Sequence, residues 1–195
     1  MATQVGLINR ALARIGEDRI VSVNDTSTRA QVIRDIWDDV RQAAIRSNPW
    51  NWAVRRAILA PVDGRPPYGW TYRFRLPQSD NDHQGWQRTL GVFEDADETA
   101  PARYKAEGPY LLADVDTLYL RFVADITNVN NWDSLFREAM VLKLAAELSV
   151  ALANSNTMAD RYTKDAERAF AKARGVDGMD DAPLEVSPGS WEAAR

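Results

Sequence analysis

The stretch from Leu135 to Leu148 most constrains the fold of this chain. Leu135, Ala139, Leu142 and Ala146 continue one helical face, while Phe136, Met140, Val141, Leu144, Ala145 and Leu148 occupy most of the rest. A helix apolar nearly all round must be buried on every side, so the other elements are expected to be arranged around it. Asp133 is placed to cap its start, where a carboxylate accepts backbone N–H groups and suits the positive end of the helix dipole.

Helical period also marks the beginning of the chain. Val5, Ile8, Leu12 and Ile15 recur at steps of three and four, and Gly16 supplies a stop. Residues 17–27 read as a polar loop ending in a helix cap. A second helix is expected from Thr28 to Ser47, with Ala30, Ile33, Trp37, Val40 and Ala44 as its buried stripe and Arg34, Asp35, Asp38, Asp39 and Arg41 on the other face. Pro49 ends it. After the central helix, Asn154-Ser155-Asn156 is a tight connection. Thr157 with Asp160 resembles a capping box, and Met158, Tyr162, Ala166, Ala169, Phe170 and Ala173 form a last stripe that Gly175 should terminate.

Between the helical halves the period changes to two. Tyr68, Trp70, Tyr72, Phe74 and Leu76 alternate with Gly69, Thr71, Arg73 and Arg75, which predicts a strand. Trp86, Leu90 and Val92 suggest another strand. Tyr104–Leu112, broken by Gly108-Pro109, suggests a hairpin, and Leu118, Leu120 and Phe122 a further strand. The loops 77–85 and 94–102 are long and polar. The expected fold is α+β and mainly α: two antiparallel helical hairpins packed as a bundle, with an inserted small β module and an extended C-terminal tail. The expected units are residues 1–50 (N-terminal hairpin), 51–131 (β module), 132–175 (C-terminal hairpin) and 176–195 (tail). Trp37, Val40, Leu142 and Ala146 are the candidate core. In the tail, Leu184, Val186 and Trp191 stand out as apolar residues that could contact a partner.

The chemistry on offer is sparse. The chain has no cysteine and one histidine, His83, which excludes disulfides, thiol nucleophiles and multi-histidine metal sites. No phosphate loop, nucleophile elbow or metal-ligand spacing is found, so the expectation is no catalytic residue, no metal and no cofactor. His83 lies in a polar loop. Asp95, Asp97 and Glu98, and Asp114 with Asp116, read as loop and turn acids. Arg55-Arg56 and the Arg73/Arg75 strand face are the densest basic points, but a net charge of −4 argues against a protein that coats nucleic acid. No run reaches the roughly 18 apolar residues of a membrane span, and the first residues do not read as a signal peptide. Of 24 basic residues 20 are Arg, and there are seven Trp. Both types favour protein–protein contacts, although a GC-rich genome would also enrich Arg.

Several segments, in order, resemble the tubular tail protein A or head-to-tail adaptor family of short-tailed phages. They are Ile8-Asn9-Arg10-Ala11-Leu12-Ala13-Arg14-Ile15-Gly16, then Arg29-Ala30, then Ser47-Asn48-Pro49-Trp50-Asn51-Trp52-Ala53. The tyrosine-rich strand ending in Leu76-Pro77, Tyr104-Lys105-Ala106-Glu107-Gly108 and Leu118-Tyr119-Leu120-Arg121-Phe122 follow. Trp132-Asp133 to Glu138 and Leu144-Ala145-Ala146-Glu147-Leu148 complete the series. The order over about residues 5–174 is the specific feature, since each piece alone is a mixture of cap, turn and core residues. Gln78-Ser79-Asp80-Asn81-Asp82 departs from the acid and basic-hydrophobic strand usual after the Leu-Pro. The resemblance implies a non-enzymatic virion protein that is present in the host cytoplasm during assembly. It implies a homo-oligomeric ring, a dodecamer by analogy, between the portal protein and the tail nozzle protein, with a channel for DNA passing without sequence-specific binding and no membrane contact. Two other readings of the residues are a virion-associated peptidoglycan hydrolase using a carboxylate pair, and a small DNA-binding module.

Overall fold

The computed structural model describes residues 1–78 and 85–180. The chain runs α1 (Gln4–Ile15), α2 (Thr28–Arg46), β1 (Val54–Leu59), β2 (Tyr72–Arg75), β3 (Trp86–Phe93), β4 (Lys105–Glu107), β5 (Tyr110–Ala113), β6 (Leu118–Ala124), α3 (Ser134–Ala151) and α4 (Asn156–Asp177). The strands form two antiparallel three-stranded sheets: sheet A in the order β1-β6-β3, and sheet B in the order β2-β5-β4.

Each helix starts where a short polar side chain can accept a free N–H. Thr3 Oγ1 accepts Gly6 N, Ser27 Oγ accepts Ala30 N, and Asp133 accepts both Leu135 N and Phe136 N. The cap of α4 is Ser155, whose Oγ accepts Met158 N, rather than the expected Thr157. α1 ends at Gly16, which takes φ +79 and returns its N–H to Ala13 O.

The central expectation is met in α3. Ten of its residues are buried, from Phe136 to Ser149. It packs against α1, α2 and α4. Phe136 is the hub of an aromatic cluster. Its ring centroid lies 4.7 Å from Trp52, 5.0 Å from Trp50, 5.3 Å from Trp132 and 5.7 Å from Phe170, all edge-on. Edge-to-face pairs of this kind stabilise beyond their buried area. Trp50 and Trp132 bury their rings while donating Nε1–H to Ala44 O and Ile126 O. Trp37 stacks on Trp132 at 6.2 Å and carries the cluster to α2. Trp37, Val40, Leu142 and Ala146 are all buried in one contiguous core, which also includes Leu120, Phe122 and Val92 of sheet A and Phe74 and Leu111 of sheet B.

The expected pair of helical hairpins packed as a bundle is not what forms. α3 and α4 make a hairpin, but α1 and α2 do not: α1 rests on α3, and α2 lies between α3 and strands β3 and β6. Two local causes separate them. Asn9 clips the loop after α1 to the helix, its Nδ2 donating to Ile20 O and its Oδ1 accepting Ile20 N, both at 2.9 Å, with Ile20 buried. The buried arc of α2 is also wider than the expected stripe. It includes Arg41, which is only 3% exposed instead of lying on the polar face. Arg41 pairs with Asp125, immediately after β6, and with Asp38 at 3.0 Å. Arg46 donates to Gln87 O and lies over the Trp86 ring at 5.7 Å. Arg34 donates to the carbonyls of Val23 and Asp25. Arg41 and Arg46 hold α2 to the sheet, while Arg34 ties it to the preceding loop, so the β strands share the helical core.

Three other expectations change. The strand over Tyr68–Leu76 shortens to Tyr72–Arg75, because Gly69 takes φ +84 and breaks the extended run. β1 was not expected, since Arg55-Arg56 hides its alternation. α4 continues through Gly175 to Asp177, which anchors the helix end: Asn51 N donates to its carboxylate at 3.1 Å and Asn51 Nδ2 to its carbonyl at 2.6 Å. Val176 therefore belongs to α4, not to an extended tail.

Phe136→Ala should cost about 3–5 kcal/mol and Leu142→Ala about 2–5 kcal/mol in denaturant melts, through lost burial and residual cavity. Val150→Ala, half exposed on α3, should cost less than about 0.5 kcal/mol. Asp125→Ala leaves the buried Arg41 guanidinium only the solvent-exposed Asp38 and should cost about 3 kcal/mol, whereas the joint replacement Arg41→Met with Asp125→Leu should recover most of that loss.

Candidate assembly surface

One acid of each candidate pair, Asp114 and Asp95, is engaged in building a loop. Asp114 Oδ1 accepts Thr71 N at 2.9 Å and Thr71 Oγ1 at 3.0 Å, tying the β5–β6 turn to the entry of β2. Asp116 is exposed on the same turn. Asp95 accepts Thr99 N, the Thr99 hydroxyl and Ala100 N, closing the 94–100 turn. The Thr99 hydroxyl bond is the main cause that pulls the Asp95 carboxyl below the usual aspartate value, with the backbone N–H donors of Thr99 and Ala100 adding to it. Asp97 is exposed. Glu98 sits at φ +57 and reaches back to two guanidiniums, Arg56 on β1 and Arg121 on β6. Among the described residues no group of three His, Cys, Asp or Glu could hold a metal ion. His83, Asp80 and Asp82 lie outside the described residues, as do Leu184, Val186 and Trp191.

What the strands do present is a basic and aromatic surface on sheet B. The register puts Phe74, Leu111 and Ala113 on the face turned into the core, and Arg73, Arg75, Tyr110 and Lys105 on the other, together with Glu107 and the buried Leu112. Arg73 lies over the Tyr110 ring at 5.1 Å and donates to Asp63 O at 2.9 Å. β2 and β4 flank β5 and run parallel to each other, so the residues just before them meet at one end of the sheet. There Arg103 lies over the Trp70 ring at 5.0 Å. Tyr68 is 87% exposed and Tyr104 40% exposed. Arg65, Pro66, Pro67, Tyr68 and Trp70, with Asp114, surround a concavity of about 420 Å³.

Arginine held flat on an aromatic ring loses little further freedom on binding, and Trp, Tyr and Arg dominate interface hot spots. Such residues are the ones that dominate protein interfaces, and exposed guanidinium donors suit carboxylate groups. The Arg73/Arg75 face was legible in the alternation. The Trp70–Arg103 stack was not, because only the sheet topology brings residues so distant in sequence together.

A second surface lies on the outer face of sheet A. Ile58 and Tyr119 pair across β1 and β6, and Tyr119 and Phe93 across β6 and β3. Ile58 is 71% exposed. Alongside, Pro49, Asn51, Val54, Arg56, Leu90, Arg121 and Asp180 line a groove of about 660 Å³.

Because the carboxyl of Asp95 is depressed, the turn it closes is fully stabilised above the ordinary aspartate value of about 3.9 and loses that contribution as pH falls through the lower folded value. In an acid titration followed by NMR, the Thr99 and Ala100 amide signals should hold to below about pH 4 and then shift together. Asp95→Asn should abolish that step. No protein-family model matches this chain, and no curated protein sequence matches it.

Proposed function

We propose that the protein is a head-to-tail adaptor of a short-tailed phage, a structural virion protein that forms a ring between the portal protein and the tail nozzle protein. The observation that carries this reading is the order of family-like segments from Ile8-Asn9-Arg10 to Leu144-Ala145-Ala146-Glu147-Leu148. The physical character of the molecule is compatible with it. One contiguous core makes a stiff subunit, the arginine–aromatic surface of sheet B suits a protein contact, and Asp95 and Asp114 serve their loops. In this reading the ring is homo-oligomeric and DNA passes through its channel without base-specific contact. A negative net charge favours passage without adhesion.

Arg73, Arg75 and Lys105 on one face give the DNA-binding reading its one specific observation. A salt-dependent mobility shift with short duplexes, lost on alanine replacement of those three residues, would favour it instead.

The free protein should be a monomer or small oligomer by light scattering and form a large complex when mixed with portal protein. Arg103→Ala and Trp70→Ala should weaken that complex without altering the melt of the free subunit. No complex at any ratio would overturn the adaptor reading.

A further inference from the structure

We infer that the groove at the end of α4, together with the open edge of β1 beside it, takes the chain's own C-terminal segment, residues 181–195. This inference concerns the free subunit and does not rest on the adaptor reading.

Sheet A has two edges of different character. The β3 edge is covered: Ala102 donates to Val92 O, Glu94 to Ala100 O, and Trp86 to Pro77 O. β1 pairs only with β6, and among the described residues no backbone bond from outside the sheet reaches residues 55–59. An edge of this kind is a template for one more strand, and native proteins commonly cover it.

The groove beside that edge is lined by Val54 and Arg56 of β1, Leu90 of β3 and Arg121 of β6, with Pro49 and Asn51 on the approach from α2. Its remaining wall is Asp180, the last described residue of the chain. The C-terminal segment therefore leaves α4 from inside the groove, and the α4 end is fixed there by Asp177 on Asn51. Fifteen residues can reach about 50 Å when extended, so distance does not limit docking.

The sequence of the segment fits both features. Pro183-Leu184-Glu185-Val186-Ser187-Pro188 alternates apolar and polar residues between two prolines, the pattern of one short added strand. Leu184 and Val186 supply apolar side chains for Val54, the half-buried β1 residue at the groove. Trp191 matches the row of exposed Ile58 with half-buried Tyr119 and Phe93 further along the same face. Charge agrees as well. Arg56 and Arg121 share one carboxylate, Glu98, and the Arg56 side chain is 69% exposed, leaving cationic character for Asp181 and Glu185. Tethering at the groove mouth gives the segment a millimolar effective concentration, which favours its own subunit over a neighbour.

The test is amide hydrogen exchange on the full chain, compared with a Leu184→Asp/Val186→Asp variant. Amides of residues 55–59 should exchange about tenfold or more faster in the variant, while those of α3 are unchanged. The protection in the parent chain should also be independent of protein concentration over a hundredfold dilution. Equal exchange of 55–59 in the two proteins would overturn the inference. Protection that fades on dilution would overturn it too, since the occupant would then be a segment of another copy.

Discussion

Phe136 meets four other aromatic rings, which come from three parts of the chain: Trp50 and Trp52 from the turn after α2, Trp132 from the turn before α3, and Phe170 from α4. The constraint behind this cluster is that α3 has almost no polar side. Every face of it needs cover, and α1, α2 and α4 do not suffice at its N-terminal end, so the flanking tryptophans close that end. Once Trp50 and Trp132 are committed there, the positions of β1 and β6 follow, because β1 begins just after Trp52 and β6 ends shortly before Trp132. Sheet A is thus tied to the helices by the aromatic cluster and again by Arg41 on Asp125.

The helices, and the caps at Ser27 and Asp133, were legible because they depend on local chemistry, whereas Thr3 went unnoticed and α4 caps at Ser155 in place of Thr157. Thr3, Ser27 and Asp133 each satisfy N–H groups within three residues, and the apolar periods of α1, α3 and α4 are strong. What was not legible depends on contacts distant in sequence. Arg41 sits at a position that reads as solvent-facing, and its pairing with Asp125, with Asp38 beside it, makes burial tolerable. That exchange widens the buried arc of α2 and turns it toward sheet A, which is why the expected first hairpin does not form. Gly175 reads as a helix stop, yet the Asn51–Asp177 bonds hold the helix together two residues further on. β1 escaped notice because its two arginines interrupt the alternation that β6 shows clearly.

The candidate surfaces divide the same way. Alternation along β2 marked Arg73 and Arg75 as one face. The stacking of Arg103 on Trp70 and the bridging of Arg56 and Arg121 by Glu98 need the strand order, which no periodicity reveals. The acids around residues 95 and 114 were readable as turn formers, since Asp with a nearby Thr is a common way to satisfy turn N–H groups. Taken together, the molecule has a stiff interior and two surfaces with unlike chemistry. One is cationic and aromatic on sheet B, and the other is an apolar row beside a groove on sheet A.

The central claim is that helices and sheet A share one core, in contrast to a helical bundle carrying a separately folded β insert. Native-state hydrogen exchange at increasing denaturant tests it directly, by following Leu144 and Leu148 in α3 beside Leu120 and Phe122 in β6. A shared core requires the four amides to open with the same free energy and the same denaturant dependence, since they become exposed only in global unfolding. Opening of the β6 amides at markedly lower free energy, with α3 still protected, would contradict it.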